Sequence, residues 1–424
     1  MAAPSDASEQ TPRPLPPHRQ PSRIRRTFQA FKHRDFRLMW IGAFLSTTGT
    51  WMQTVAQSWV VLSLTKSAFY LGLDAFLATS PMILFSLFGG VVADRFPRRR
   101  ILLLSQYLQM TFAFIMAVLI YTKTVKVWHI FILSFLTGTA QSFGGPAYQA
   151  LIPLLVDGEQ LTNAIALNSM QFNLARMIGP VLAGIALSTV GAAWCFGLNG
   201  LSFVFVIISL WMIRVSFTGT DSKGKSIFTD MRDGFRFMAQ HSAIKELTLI
   251  AFVTTFFGIP LITLMPLFAK SIFHVGPKGF GWMMAASGAG SVTGALLVAG
   301  SNEVKRKGRL ALTFQLFFCA FLVVFAVSRS LWISMIAIFL AGSSLLGVFT
   351  TVSSLVQLKS TEAMRGRVMS IFMMAFRGGM PLGSLLSGWV AERFSVTKAL
   401  LMNASCLGLI AMGFLVSKNK LKEI

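Results

Sequence analysis

The feature of this sequence that most constrains its fold is a series of twelve apolar runs, each about 20 residues or longer. An α-helix of that length spans the ~30 Å hydrocarbon core of a bilayer. A transmembrane β-barrel would instead show short segments of alternating hydropathy, and the sequence has no such pattern. We therefore predict an all-α membrane protein with twelve transmembrane helices. The predicted spans are 38–64, 69–92, 101–121, 128–149, 162–188, 192–213, 244–268, 279–299, 310–328, 331–355, 367–390 and 397–416.

The composition excludes a purely soluble chain. Only 12% of the 424 residues are charged and 54% are hydrophobic, whereas soluble domains carry about 25% charged residues. The net charge of +23 would by itself suggest nucleic acid as a partner. The three cysteines, Cys195, Cys319 and Cys406, lie far apart and have the spacing of neither a zinc site nor a disulfide framework.

The positions of the basic residues account for the charge. If the N-terminus is cytoplasmic, the cytoplasmic segments hold 28 of the 38 lysines and arginines, and the opposite loops hold eight. The remaining two, Arg176 and Arg377, fall inside predicted spans. Cytoplasmic loops of membrane proteins are enriched in basic residues. We therefore predict a multi-pass protein of the cytoplasmic (inner) cell membrane, with both termini cytoplasmic, that contacts membrane lipids and no nucleic acid.

The connections between the runs suggest a division into domains. Residues 1–35 are basic and rich in proline, which is typical of a disordered tail. The long connection 214–243 contains apolar residues at helical spacing and predicts a cytoplasmic linker with an amphipathic helix on the membrane surface. The linker would separate an N-terminal six-helix half, 36–213, from a C-terminal half, 244–416. Residues 417–424 would form a cytoplasmic tail.

The linker also contains a formal phosphate-loop pattern, GTDSKGKS, at 219–226. Such a loop binds a nucleotide only between a strand of a parallel sheet and a following helix. A connection of about 30 residues between two membrane spans cannot hold that domain. We therefore expect a polar linker and no nucleotide binding.

The two predicted halves resemble each other at a shift of about 200 residues. The pattern F-L-x-G begins at 135 and again at 339, and the pattern R-x-x-x-P begins at Arg176 and again at Arg377. The matches occur in the same order in both halves, which predicts a duplication. Two pseudo-symmetric six-helix halves with a site between them at the membrane midplane are a known transporter architecture.

The connection after the second run reads GGVVADRFPRRR over 89–100. An acidic residue followed by basic ones at a helix end can form ion pairs that exist in only one conformation. This segment resembles the signature of the major facilitator superfamily, G-x-x-x-D-R-x-x-R-R/K, with Pro97 in place of the usual glycine. The resemblance implies that Asp94 and Arg98 lock the two halves together at the cytoplasmic face. The predicted gate motif comprises Gly90, Asp94, Arg95, Arg98 and Arg99.

The fifth run carries ARMIGPVLAG over 175–184. An isolated Gly-Pro pair is commonly only a feature of helix packing. This segment, however, is similar to the antiporter motif of the superfamily, G-x-x-x-G-P-x-x-G-G, through Gly179, Pro180 and Gly184, and that motif is associated with exporters. Residues 163–176 and 365–370 are similar to the branch that contains the enterobactin exporter and macrolide efflux proteins. The resemblance implies efflux of a drug or a siderophore-like molecule.

Two arginines lie near the predicted midplane. At ~1.5 Å per residue, Arg176 and Arg377 would lie roughly 20 and 15 Å from the cytoplasmic ends of their spans. A charge facing lipid there would cost at least ~3 kcal/mol, so we expect both arginines to face a cavity or to form a structural pair. Nearby amides either line the same cavity or form interhelical hydrogen bonds. The predicted substrate cavity comprises Arg176, Arg377, Asn173, Gln53, Gln57 and Gln141.

The acidic residues suggest the class of substrate. No carboxylate lies near the predicted midplane, so two cavity arginines favour an anionic or polar amphiphilic substrate. Proton coupling would fall to Asp74, although a solvated helix end is the alternative for that residue. We predict a monomeric, proton-driven exporter that works by alternating access, without cofactor, metal or enzymatic activity. The alternatives are an importer of an organic anion, a transporter-like sensor without flux, and a lipid flippase.

Overall fold

The computed structural model describes residues 28–214, 227–300 and 306–416, apart from the side chains of 86–95, 227–230 and 363. The described chain is almost entirely helical and contains no β-strand within these ranges. The helices are α1 (Arg34–Thr65), α2 (Ala68–Arg95), α3 (Arg98–Tyr121), α4 (Val127–Leu151), α5 (Leu161–Thr189), α6 (Ala192–Met212), α7 (Ile227–Gln240), α8 (Ser242–Gly258), α9 (Pro260–Leu267), α10 (Pro277–Gly300), α11 (Lys307–Val327), α12 (Leu331–Lys359), α13 (Glu362–Arg393) and α14 (Val396–Val416).

Twelve long helical segments correspond to the twelve apolar runs, with α8 and α9 together forming the seventh. Among the described residues, ten segments are long and apolar enough to cross a membrane. The other two long helices are α1 and α4, with 32 and 25 residues. The predicted all-α membrane fold is confirmed.

The seventh segment is bent where the sequence predicted one continuous helix. Pro260 has no backbone N–H to donate to the preceding turn and its ring displaces that turn, so α8 ends at Gly258 and α9 begins at Pro260. Pro266 lies just before a π-helical turn at Phe268–Ile272, which ends the segment.

The helix packing repeats in the two halves. In the N-terminal half α1 packs on α5, α2 on α4, and α3 on α4 and α6. In the C-terminal half α8 packs on α13, α10 on α12, and α11 on α12 and α14, which are the corresponding pairs. The predicted pseudo-symmetry of two six-helix halves is confirmed.

Two helix pairs form the main contacts between the halves, α5 with α10 and α2 with α13, and α9 also contacts α1 and α2. Glycines let the backbones approach closely at both seams. A Cβ atom on Gly72 would lie 2.5 Å from the carbonyl oxygen of Ser384 and 3.1 Å from Gly388 Cα. A Cβ on Gly184 would lie 3.0 Å from the carbonyl oxygen of Pro277. The seams therefore require small residues at these positions.

Both seams lie at one side of the bundle. We call the side with residues 28 and 416 the terminal side and the opposite side the far side. Since consecutive long helices run in opposite directions, α2 and α10 begin on the far side, and α5 and α13 end there. The seam residues belong to these far-side portions. Among the described residues, the close contacts of Gly72 and Gly184 thus join the two halves on the far side.

The linker helix α7 packs on the C-terminal half. Met238 is buried in a core cluster of that half. A Cβ on Gly234 would contact Ile371 and Arg367 of α13, and Asp233 accepts a 3.4 Å bond from Arg367 Nη1. Phe235 stays 45% exposed, so α7 has one face on α13 and one apolar side chain available to a membrane surface. The phosphate-loop pattern at 219–226 lies outside the described residues.

Candidate functional site

Arg176 lies on the α5–α10 seam. Arg176, Pro180 and Gly184 share one face of α5 because they are four residues apart. The carbonyl oxygens of Pro180 and Arg176 lie against Gly281 and Gly288 of α10. The half-buried Arg176 therefore lies at the seam about midway along α5.

Arg377 occupies the corresponding position on α13. It precedes Ser384 by two helical turns, or roughly 10 Å, and shares the face that Ser384 and Gly388 present to α2. Its side chain is exposed. The structure thus places both arginines on the seam faces of corresponding helices.

Neither arginine has an acidic partner in the described part of the chain. None of its carboxylates forms an ion pair with Arg176 or Arg377. Arg176 instead holds its Cζ 5.5 Å from the centroid of the Trp51 ring, a cation–π contact. A sheltered cation without a counter-ion is costly, and an anionic ligand would compensate it.

The predicted cavity amides occupy different environments. Gln53 accepts a 2.6 Å hydrogen bond from Asn199 of α6, and Gln57 donates to Asp74 and Ser134, so both are engaged inside the N-terminal half. Asn173 donates to the carbonyl oxygen of Ser169 in its own helix at 2.8 Å. Gln53 and Gln57 thus form the interhelical hydrogen bonds that the sequence left open as the alternative, whereas the bond of Asn173 stays within α5.

Gln141 differs from the other amides because its side chain is exposed on α4. One turn further along that helix, a Cβ on Gly145 would have no neighbouring atom within 4 Å. Gln141 therefore belongs to an open stripe of α4 and is available to a ligand.

Asp74 is the centre of a buried hydrogen-bond network. Its side chain is 7% exposed and lies between α1, α2 and α4. It accepts hydrogen bonds from Gln57 Nε2 at 2.8 and 3.0 Å and from Ser134 Oγ at 2.6 Å. All of these donors are neutral, so the carboxyl group can take up or release a proton without breaking an ion pair. Nothing in the sequence indicated Ser134, because a serine in an apolar run is common.

The gate motif is described only in part. The side chains of Gly90, Asp94 and Arg95 lie outside the described residues. Arg98 Nη1 donates to the carbonyl oxygen of Ala150 at 3.3 Å, and Arg99 Nη2 donates to that of Trp211 at 3.1 Å. These two contacts link α3 to α4 and α6 at the terminal side.

The antiporter-type motif lies at two close helix contacts. A Cβ on Gly179 would lie 2.6 Å from Trp51 Cβ and 2.7 Å from the carbonyl oxygen of Thr48, so this glycine brings α5 against α1. Pro180 and Gly184 lie on the seam with α10. The motif therefore places Trp51 next to Arg176 and holds the two halves together.

Glu392, which the sequence did not single out as a site residue, connects the halves on the far side. Its Oε2 atom accepts hydrogen bonds from Ser67 Oγ at 2.9 Å, Ala68 N at 2.7 Å and Phe69 N at 3.3 Å. Glu392 lies near the end of α13, whereas Ser67, Ala68 and Phe69 lie at the start of α2. One carboxylate oxygen therefore spans the α2–α13 seam.

A family model described as transmembrane secretion effector matches residues 25–424. The staphyloferrin A transporter of Staphylococcus aureus is 25% identical over 386 residues, which cover 90% of this chain and 95% of that protein. Macrolide efflux protein A of Streptococcus pyogenes is 23% identical over 384 residues, covering 89% of this chain and 94% of that protein. The enterobactin exporter of Citrobacter koseri is 25% identical over 390 residues and covers 91% of each chain.

Solved structures of transporters share the fold. A POT family transporter in complex with 5-aminolevulinic acid has a TM-score of 0.75 at 11% identity, covering 92% of this chain and 96% of that one. A D-xylose–proton symporter has a TM-score of 0.72 at 13% identity, covering 91% of this chain and 99% of that one. At such identities the likeness concerns the fold alone.

Proposed function

Since this chain belongs to the transmembrane secretion effector family, within the major facilitator superfamily, we propose that it is a proton-driven exporter of a small amphiphilic or anionic organic molecule. It is a membrane transporter and not an enzyme, as predicted. The proposal further places both termini in the cytoplasm, with the protein acting as a monomer in the cell membrane. Its partners would be the substrate, protons and lipid.

The observation that carries the proposal is the pair of arginines at the seam. Arg176 and Arg377 come from corresponding helices of the two halves and have no acidic partner among the described residues. A guanidinium group presents several in-plane donors that match a carboxylate or a similar anion. Relatives named for staphyloferrin A, enterobactin and macrolides support a siderophore-like or drug-like substrate.

Alternating access is supported by the close contacts that join the halves on the far side. The proposal places an open cleft on the terminal side, which the distribution of basic residues assigns to the cytoplasm. Substrate would enter from the cytoplasm between Arg176 and Arg377. Rocking of the six-helix halves would then close the terminal side and part the far-side seams.

Export from cells tests the proposal. A strain that lacks the gene is compared with the same strain carrying wild type or Arg176→Gln, by susceptibility to a panel of compounds and by the metabolites in cells and medium. We expect the deletion to retain an anionic or amphiphilic compound in the cells, and wild type but not the variant to restore its release. A deletion that instead loses uptake of such a compound would favour an importer.

Replacing Asp74 with asparagine is expected to uncouple transport from protons. The neutral side chain keeps the shape of the network with Gln57 and Ser134 but cannot bind and release a proton. Wild-type export should accelerate as the outside becomes more acidic, whereas Asp74→Asn should lose this dependence and fall about tenfold or more in gradient-driven rate. Rates measured between pH 5.5 and 8 check this, with the exposed Asp157→Asn as the control. An unchanged pH profile in Asp74→Asn would exclude Asp74 as the coupling group.

A further inference from the structure

Trp51 is the residue that holds the charged end of Arg176. The guanidinium lies over the indole ring at 5.5 Å, within the range of a cation–π contact. The indole has an N–H donor and no hydrogen-bond acceptor, so it contacts the guanidinium without engaging any of its five N–H donors. Trp51 therefore stabilises the charge and leaves the donors available, which an aspartate or glutamate partner would not do.

The Trp51 ring is itself fixed in place. Gly179 brings the α5 backbone against the Cβ atom of Trp51. Phe172 of α5 packs edge-to-face on the indole, with ring centroids 6.1 Å apart and an interplanar angle of 67°. Phe172 lies one turn before Arg176 towards the terminal side and is 48% exposed. Trp51 and Phe172 thus form an aromatic wall beside the guanidinium, with Phe172 towards the terminal side.

We propose that Trp51 determines the specificity of the cleft for amphiphilic anions. Trp51 would orient the N–H donors of the Arg176 guanidinium towards the anionic group of the substrate. Together with Phe172 it would contact the apolar part of the same molecule. The inference rests on the proposed function, since it concerns the ligand that Arg176 binds. A small hydrophilic anion would bind to the Arg176 guanidinium alone, and the aromatic wall would add nothing to its affinity.

Transport kinetics of three variants test the inference. For the amphiphilic anion that wild type exports, Trp51→Leu should raise KM about tenfold with little change in maximal rate, because the loss falls on binding. Trp51→Phe should retain KM within about threefold, since phenylalanine keeps a ring face for the cation. Trp332→Leu is the control, because Trp332 is 76% exposed and lies at the far-side start of α12.

Different outcomes separate the inference from the proposed function. If Arg176→Gln loses transport while Trp51→Leu keeps the wild-type KM, the role of Trp51 is wrong and the exporter proposal stands. If Arg176→Gln transports normally, the proposed function itself fails. Should Trp51→Leu fail to fold, Phe172→Leu decides, because Phe172 is the other ring of the aromatic wall. A KM raised severalfold at an unchanged maximal rate supports the inference, and a wild-type KM overturns it.

A second inference comes independently from Glu392. The first N–H groups of a helix have no acceptor within the helix, and a carboxylate is favoured there by the partial positive charge of the helix end. At the start of α2, the N–H groups of Ala68 and Phe69 donate to Glu392 of the other half. The N–H groups of Ala68 and Phe69 are therefore capped only when the far side is closed, whereas Ser67 Oγ accepts from Tyr70 N within the same half.

We infer that Glu392 is a latch that favours closure of the far side. When the seam parts, the N–H groups of Ala68 and Phe69 lose their acceptor and the carboxylate must find other donors. The contact therefore lowers the free energy of the closed state relative to the open one. Loss of a helix cap typically shifts such an equilibrium by about fivefold. The seam residue Ser384 is 2% exposed in the closed arrangement and reports opening when it is replaced by cysteine.

Labelling of Ser384→Cys with a membrane-impermeant maleimide tests the latch. In a background without Cys195, Cys319 and Cys406, adding Glu392→Ala should raise the labelling rate about fivefold, and Glu392→Gln should give an intermediate rate. Glu362→Ala, which removes an exposed carboxylate at the opposite end of α13, should leave the rate unchanged. Equal labelling rates with glutamate and alanine at position 392 would overturn the inference.

Discussion

Replacing either cleft arginine with glutamine is expected to reduce transport of an anionic substrate by about 10- to 100-fold, and replacing both should abolish it. A hydrogen bond to a charged group contributes about 1.5–3 kcal/mol, and each 1.4 kcal/mol corresponds to a factor of ten. Lysine at either position should restore only part of the activity, because it keeps the charge but lacks the planar guanidinium that can donate two parallel hydrogen bonds. Initial rates in membrane vesicles, normalised to the amount of protein in the membrane, give the measurement.

The glutamine substitutions of Arg176 and Arg377 are expected to affect substrate binding and not folding. Neither Arg176 nor Arg377 has an ion-pair partner among the described residues, so glutamine should leave the protein folded and monodisperse in detergent. Arg329→Gln is the matched control, because Arg329 lies in the far-side connection between α11 and α12. Full activity in the Arg176→Gln, Arg377→Gln double variant would show that the arginines do not bind the substrate.

Replacing Gly72 with valine is expected to prevent closure of the far side. A Cβ at this position would lie 2.5 Å from the Ser384 carbonyl oxygen and 3.1 Å from Gly388 Cα, both in the other half. Overpacking typically costs about 1–3 kcal/mol, here only in the conformation in which α2 and α13 touch. The closed population should therefore fall by a factor of about 5 to 150, and transport should slow because one of the two states is disfavoured.

Distances between spin labels on the far-side ends of α2 and α13 measure the two populations. Gly72→Val should shift the distribution towards longer distances, whereas Gly413→Val should not, because a Cβ on Gly413 would have no neighbouring atom within 4 Å. A Gly72→Val protein that folds, transports at the wild-type rate and keeps the short distance would contradict the rocking of the two halves.

The fold was largely predictable because membrane insertion leaves a strong signal in the sequence. A hydrophobic stretch must be long enough to cross the bilayer, and the backbone in lipid must satisfy its own hydrogen bonds, so run length alone predicts the helices. The break at Pro260 was not predicted, since prolines in membrane helices either bend or leave the helix, depending on their neighbours. The duplication was visible because Arg176 and Arg377 recur in matching contexts.

The site was predictable only for residues whose burial is costly. A charge inside an apolar run has few tolerable positions, so Arg176 and Arg377 indicated the cleft. The amides did not, because Gln53 and Gln57 can face either the cleft or a neighbouring helix, and helix packing decides between the two. Contacts between residues that are remote in sequence could not be predicted either. The hydrogen bond between Ser67 and Glu392, which are 325 positions apart, is an example.

The central claim is that the protein exports an anion through a cleft with two arginines, and flux in everted membrane vesicles tests it most directly. Vesicles with wild type or with the Arg176→Gln, Arg377→Gln double variant are given an acidic interior and a panel of radiolabelled aromatic and polycarboxylate anions, with the cation ethidium for comparison. We predict that wild type accumulates at least one anion, that a protonophore and the double variant both abolish this, and that ethidium is not accumulated. Accumulation of ethidium alone, or of anions equally by wild type and the double variant, would contradict the account.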